Sequence, residues 1–275
     1  MNILYCGDKN IADGLIISIL SIVKHNKSVL HIYILTACIK KKNVFPLEDQ
    51  VVKYLDKLVK KENKNSFVQK IDITEKFLKE LPVKNIDTRF TPCCMLRLFA
   101  DKIESLPKKI LYLDNDVVCR KDFSDFYDIK MNNYEIAGVL DCFGSHFFRK
   151  NIFKRDYLNS GVLLMNLEKI KKTKLFKRAR EMCIAKNMFM PDQSSLNKLA
   201  KEKLIVPRKY NEQRKLKTDT VFQHFTTTFV FFPYIHTRTV KPWDVERMHN
   251  VLKLYEYDDI LKNYHIVKEE IYEKQ

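Results

Sequence analysis

Two carboxylates one residue apart close an apolar run in Lys109-Ile110-Leu111-Tyr112-Leu113-Asp114-Asn115-Asp116-Val117-Val118. Acids this close repel each other unless a cation lies between them, and such hard oxygen donors suit Mg²⁺ or Mn²⁺ bridging phosphate oxygens. The apolar run reads as a strand buried on both faces of a parallel sheet, and ligands of such sheets bind beyond the carboxyl ends of the strands. The pattern therefore predicts a metal and phosphate site at a strand end. An Asp-x-Asp alone also arises by chance on turns and helix starts, so the surrounding elements must supply its context.

Those elements alternate. Asn2 to Cys6 reads as a strand, Ile11 to Lys24 as an amphipathic helix and Leu30 to Thr36 as a second strand, which is a βαβ beginning. Pro46 to Lys61 reads as a helix, Phe67 to Ile73 as a strand, and Cys94 to Ile103 as a helix leading into the Asp-x-Asp strand. Beyond it, Glu135 to Leu140 and Gly161 to Asn166 read as strands, Leu167 to Lys186 and Asp192 to Ala200 as helices, and Asp244 to Gln275 as a polar helical tail. The alternation predicts an α/β fold with a Rossmann-like, mostly parallel central sheet flanked by helices.

A chain of 275 residues with 45% apolar content can bury a full core. Five glycines and eight prolines, without repeats or Ser/Gly-rich stretches, leave no flexible linker. We expect one catalytic domain over residues 1–250 and a helical C-terminal tail over 251–275. The longest apolar run, Leu15 to Val23, is interrupted by Ser18 and Ser21 and is too short to span a bilayer. Met1-Asn2-Ile3-Leu4-Tyr5 lacks the basic segment of a secretory signal, so a cytoplasmic protein is expected. Seven cysteines form no Cys-x-x-Cys pair and read as free thiols in a reducing compartment. Fifty Lys plus Arg against 34 Asp plus Glu give a net charge of +16, which suits phosphorylated substrates, anionic lipid surfaces or nucleic acid. The lysines fall in short dispersed clusters, and no aromatic-interleaved groove for nucleic acid stands out.

Three further motifs follow the acids in order. They are Asn159-Ser160-Gly161-Val162-Leu163-Leu164-Met165-Asn166-Leu167, then Pro191-Asp192-Gln193-Ser194-Ser195-Leu196-Asn197, then His236 with Lys241-Pro242-Trp243. Together with Asp-x-Asp they resemble glycosyltransferase family 8 over roughly residues 1 to 250. The resemblance implies a GT-A fold, UDP-sugar donors, Mn²⁺ (with Mg²⁺ as the alternative) and retention of anomeric configuration. The family includes bacterial lipopolysaccharide glucosyl- and galactosyltransferases and glycogenin.

Carried over by position, the resemblance implies that Asp8 and Asn10, in Cys6-Gly7-Asp8-Lys9-Asn10, hold the uracil and ribose. Ile11 stands where the family often has an aromatic residue. Arg97, in Met95-Leu96-Arg97-Leu98, matches an arginine that contacts the donor, with Met95 in place of the usual Tyr. Asp114, Asp116 and His236 take the metal role, with Asn115 between the acids. The family's usual glycine after that histidine is missing and the spacing to Lys241 is one residue shorter, so His224 is a second candidate. Lys241 would reach the diphosphate. Asn159, Asp192 and Gln193 would lie on the sugar side, with Asp192 orienting donor hydroxyls, Gln193 supporting developing oxocarbenium charge, and Asp141 as another sugar contact.

A retaining transfer by double displacement needs a carboxylate behind the anomeric carbon, and a Gln amide is a poor nucleophile, so front-side attack is preferred. The expected activity is transfer of galactose or glucose from UDP to a saccharide acceptor, probed by donor turnover and placed in bacterial surface-glycan assembly. The acceptor is lipid-linked in one version of this reading, with the protein peripheral on the inner membrane. Two rivals stand beside it: a relative that binds UDP without transfer, and a basic nucleic-acid-binding protein.

Overall fold

The computed structural model describes residues 1–87, 92–144, 156–230, 232, 234 and 236–273. The central sheet contains β1 (Asn2–Cys6), β2 (His31–Thr36), β3 (Phe67–Asp72), β4 (Lys109–Leu113), β6 (Ile136–Leu140), β7 (Leu158–Asn166) and β8 (Lys203–Ile205). Their order is β3-β2-β1-β4-β7-β6-β8. Only β7 is reversed, antiparallel to both β4 and β6, so the sheet is mostly parallel as its alternating pattern predicts.

Side chains alternate across the strands and build two core layers. Ile3, Tyr5, Leu111 and Leu113 face a layer that includes the helices Ala12–His25, Asp49–Glu62 and Asp258–Tyr272. Leu4, Cys6, Ile110 and Tyr112 face a second layer with the helices Leu175–Ala185 and Pro191–Leu199 and the 3₁₀ helix Pro92–Lys102. The C-terminal helix belongs to the first layer: Ile260, Leu261, Tyr264, Val267 and Ile271 are buried there. No helix among the described residues is long and apolar enough to cross a membrane.

The strand that starts at Lys109 ends at Leu113, so Asp114 and Asp116 lie at a strand end as the pattern predicts, and beyond them β5 (Val117–Cys119) pairs antiparallel with β9 (Phe222–His224) outside the central sheet. Two expected helices take a different form. The segment around Cys94 to Ile103 is 3₁₀ rather than α-helical. The long helix expected from Leu167 is two, Leu167–Thr173 and Leu175–Ala185, divided at Lys174, whose φ of 55° lies in the left-handed region. A small hairpin, β10 (Thr228–Val230) with β11 (His236–Arg238), completes the strands described.

Candidate active site

The end of β4 and the β5–β9 pair set the acids. Asp114 directly follows Leu113, and its backbone N–H donates to Gly161 O at 2.8 Å. In the β5–β9 register Val117 faces His224, while Phe225 N–H donates to Asp116 O at 3.0 Å. His224 is thereby carried to the acids. Its Nε2 lies 3.3 Å from Asp116 Oδ1 and 3.8 Å from Asp114 Oδ2. Among the described residues, these three form a cluster whose ligand atoms all lie within 4.8 Å of one another.

Each member of the cluster is held from outside by its other polar atom. Asp114 Oδ1 accepts from Tyr112 Oη and from Arg97 Nη2, the latter at 2.9 Å. Asp116 Oδ2 accepts from Lys241 Nζ, which also donates to Phe225 O at 3.0 Å. His224 Nδ1 lies 3.1 Å from Asn211 Oδ1. The inward atoms are therefore Asp114 Oδ2, Asp116 Oδ1 and His224 Nε2. Asp116 Oδ1 is buried and lacks a hydrogen bond whenever His224 Nε2, 3.3 Å away, carries no proton, a costly arrangement for a carboxylate oxygen and one that a cation would relieve. Two hard oxygens and one imidazole nitrogen suit a divalent ion of the Mn²⁺ type.

Charge follows this arrangement. Burial alone would raise the Asp116 pKa, but Lys241 and His224 outweigh it and hold the carboxyl well below its ordinary range. Burial disfavours the charged His224 ring, yet Asp116 and Asp114 lift its pKa above the usual value. Arg97, buried against Tyr112 with its guanidinium 3.9 Å from the ring centroid, stays cationic because Tyr112, Asp114 and Asp192 overcome its desolvation. Asp192 is raised by burial, an effect the facing Arg97 Nε at 3.3 Å opposes.

A hydrogen-bond chain joins this cluster to Gln193. Asp141 Oδ2 accepts from Gln193 Nε2 at 3.2 Å and from Asn159 Nδ2 at 2.9 Å. Asn159 Oδ1 accepts from Asn211 Nδ2 at 2.9 Å, which leaves Asn211 Oδ1 facing His224. A carboxylate only accepts, so Asp141 sets the direction of the whole chain. Asn211 then presents an acceptor to Nδ1, the His224 proton sits on Nδ1, and the neutral ring turns its Nε2 lone pair toward the acids. At the other end, Gln193 Oε1 accepts from Ser160 N at 2.9 Å and Ser160 Oγ at 3.2 Å, so both ends of the amide are fixed.

Gly161 is required by close approach. A Cβ there would lie 2.2 Å from His224 Cε1 and 2.8 Å from Asp114 Oδ2. The reversal of β7 brings Asn159, Ser160 and Gly161, at its beginning, to the edge where β4 ends.

A family model described as "Glycosyl transferase family 8" matches residues 2–246. The chain belongs to glycosyl transferase family 8. It is 29% identical over 273 residues to a lipopolysaccharide 1,2-glucosyltransferase of Escherichia coli K12, covering 93% of this chain and 76% of that protein. It is 28% identical over 260 residues to a lipopolysaccharide 1,3-galactosyltransferase of Salmonella typhimurium LT2, covering 88% and 72%. The fold matches that of the galactosyltransferase LgtC, solved with donor and acceptor sugar analogues, with a TM-score of 0.70 at 17% identity over 97% of this chain and 96% of that one. The fold is thus GT-A-like.

Within this family 8 chain, the structure gathers Arg97, Asp114, Asp116, Asn159, Asp192, Gln193 and Lys241 into one connected polar network. Cys6, at the end of β1, lies close enough for its buried thiol to feel Arg97 and Asp114, although burial dominates and pushes its pKa up. Asp8 is buried after β1 and accepts from Asn10 N at 3.1 Å and Asn10 Nδ2 at 2.9 Å, which shapes the turn. Ile11 packs into the core beside Gly7. Asn115 lies against the helix Ala12–His25, where a Cβ at Gly14 would meet Asn115 O at 2.5 Å and the Trp243 ring at 2.6 Å.

His236 is the site expectation that the structure places elsewhere. It starts β11, its Nδ1 lies 3.0 Å from Tyr234 O, and it is outside the Asp114, Asp116 and His224 cluster. The β10–β11 hairpin stands between His224 and Lys241, so counting back from Lys-Pro-Trp reaches the hairpin. The signal for His224 was the short apolar strand Val221-Phe222 ending in Gln223-His224. Asn211, Ser160 and Tyr112 carried no signal by themselves, since their roles are to hold other side chains.

Proposed function

We propose that this family 8 chain is a metal-dependent retaining hexosyltransferase that moves glucose or galactose from UDP to a saccharide acceptor, in bacterial surface-glycan assembly. The observation that carries the reading is the convergence of Asp114 Oδ2, Asp116 Oδ1 and His224 Nε2, one of them a buried oxygen without a hydrogen bond. In this reading His224, rather than His236, joins the two acids as ligand. Curated relatives named as lipopolysaccharide glucosyl- and galactosyltransferases support the hexose and the pathway.

When bound, a divalent cation supplies positive charge to the diphosphate as negative charge develops on the leaving oxygen. Lys241, whose Nζ already meets Asp116, adds a point charge on the same side. Asp8 and Asn10 are assigned to the nucleoside and Asn115 to the donor phosphates and sugar, whereas Arg97, buried with its guanidinium on Asp114, Asp192 and Ser160 O, acts by holding those residues in place rather than by touching the donor. Gln193 and Asn159 face the sugar, with Asp192 orienting its hydroxyls. The Asp192 carboxylate is engaged by Arg97 and Ser160 and is not poised as a free nucleophile, which favours front-side attack over a covalent intermediate. Gln193, clamped at both ends, would present its amide to the developing oxocarbenium charge without moving.

The test is UDP release from UDP-glucose, UDP-galactose and related donors with Mn²⁺, Mg²⁺ or EDTA, without added acceptor. Metal-dependent release from one donor supports the reading and names the sugar. Absence of release from every donor, together with no metal-dependent UDP binding, would overturn it.

A further inference from the structure

The segment that separates His224 from Lys241 has a composition unlike the rest of the site. From Phe229 to Ile235 the chain reads Phe-Val-Phe-Phe-Pro-Tyr-Ile, followed at once by His236, Arg238 and Lys241. Phe232 is 86% exposed, the most exposed of the large apolar side chains described, and Tyr234 is 68% exposed. The stem below them is polar and ordered by its own bonds: Thr227 Oγ1 and Thr239 Oγ1 lie 2.7 Å apart, and Thr228 Oγ1 donates to Arg238 O at 3.2 Å. Other exposed apolar residues, such as Val83, Phe189 and Tyr255, are scattered along the chain singly and need no such account.

A hydrogen-bonded stem carrying an aromatic tip, with the exposed Arg238 directly behind it, has the chemistry of an interfacial anchor. Aromatic rings settle at the boundary of headgroups and acyl chains, and nearby Arg and Lys side chains are attracted to anionic lipid. We propose that the β10–β11 hairpin dips its Phe232 and Tyr234 side chains into an anionic phospholipid surface, seating the candidate active site against the membrane. The net charge of +16 gives the complementary long-range attraction. A ring platform for a soluble sugar is the competing occupant. It fits less well, because a sugar platform pairs a ring with hydrogen-bonding side chains, and from Phe229 to Ile235 the Tyr234 hydroxyl is the sole such group. The hairpin is rooted at Asp116 through Phe225 and Lys241, so its insertion would set the distance between the metal-site residues and lipid. This inference rests on the reading above for its purpose, delivery of a lipid-linked acceptor, and is tested independently of it.

The experiment is sedimentation of the full chain with vesicles of phosphatidylethanolamine and phosphatidylglycerol, compared with pure phosphatidylcholine, for the unaltered protein, the pair Phe232→Ser with Tyr234→Ser, and Phe232→Trp. The expected result is binding to the phosphatidylglycerol vesicles that falls about tenfold or more in the serine pair and is kept by Phe232→Trp. Circular dichroism and UDP release from soluble donor are expected to be unchanged in both variants. Equal vesicle binding by the serine pair and the unaltered protein would overturn the proposal. So would normal vesicle binding by the serine pair together with loss of stimulation by a soluble saccharide, which would make the tip a sugar platform. Failure of UDP release in every form bears on the transferase reading and leaves the lipid result to stand by itself.

Discussion

Asn211 and His224 meet through Oδ1 and Nδ1 at 3.1 Å, and this contact decides which imidazole nitrogen faces Asp114 and Asp116. Replacing Asn211 by Leu removes the acceptor and frees the ring to change tautomer or rotate. Partners of this kind typically contribute about 10- to 100-fold in metal affinity. Asn211→Leu is therefore expected to weaken Mn²⁺ binding by that amount, measured by titration calorimetry. Asn211→Asp, which keeps an acceptor at that place, is expected to lose less. An Asn211→Leu protein with unchanged Mn²⁺ affinity would show that the contact does not matter.

Protons and metal compete for His224. Its pKa lies above the ordinary imidazole value of about 6.5, despite burial, because Asp116 and Asp114 favour the charged ring. Below that raised pKa the metal-free ring carries a second proton, on Nε2, in the direction a cation would take, and above it Nε2 presents a lone pair. The sign has two parts. A raised folded pKa stabilises the metal-free fold below the unfolded value, and that contribution fades as pH rises through the folded one. Metal affinity moves the other way, rising over the same window as the proton leaves. Mn²⁺ titrations from pH 6 to 9 are expected to show tightening binding, while metal-free thermal stability loses the His224 contribution. A flat affinity profile would count against His224 as ligand.

Asp116→Asn is expected to abolish metal-dependent UDP release. It removes charge from an oxygen that is buried without a hydrogen bond, and it leaves the fold's packing nearly unchanged. Lys241→Ala, by contrast, leaves the inward-facing atoms in place and is expected to reduce turnover about 100-fold or more while metal still binds, as removal of one electrostatic stabiliser does elsewhere. Steady-state kinetics beside metal titration separates the two.

Gly161→Ala adds a methyl where His224 Cε1 would be 2.2 Å away and Asp114 Oδ2 2.8 Å away. Either the ring or the acid must shift, so metal affinity and donor turnover are both expected to collapse, with a stability loss of about 1–3 kcal/mol for the overpacking. Chemical denaturation and metal titration check this. Wild-type metal affinity in the variant would mean that the triad tolerates displacement.

Arg97→Met leaves Asp192 buried without its cation and removes one of two donors to Asp114. Breaking a buried pair by deleting one partner costs about 3–5 kcal/mol. The Asp114 end is partly open to solvent, so the lower part of that range is expected in urea denaturation. Arg97→Lys should recover little, because one ammonium cannot reproduce the fork that reaches Ser160 O, Asp114 and Asp192 together.

The framework was legible where pattern is local. Four buried residues ahead of Asp114 announced a central strand, and the alternation of strands with helices announced a mostly parallel sheet. What escaped was set by tertiary contact. The departure of β5 from the sheet depends on β9, far along the chain, and no periodicity in Val117-Val118-Cys119 reveals that pairing. The Pro92–Lys102 segment has helical spacing, but Arg97 must reach Asp114 and Asp192 at once, and the backbone there is wound as 3₁₀. Counted in residues from Lys-Pro-Trp, His236 comes before His224 as the ligand, whereas the hairpin makes residues and ångströms disagree.

That disagreement has an architectural consequence. Phe225 binds the Asp116 backbone and Lys241 binds its carboxylate, so the hairpin leaves from one residue and returns to it. An excursion whose two ends are pinned to a single point can be lengthened or trimmed at small entropic cost, about 0.6 kcal/mol for each doubling. The chemistry beneath it need not move. The fold thus lets the reach of the hairpin be set separately from the geometry of the candidate site it springs from.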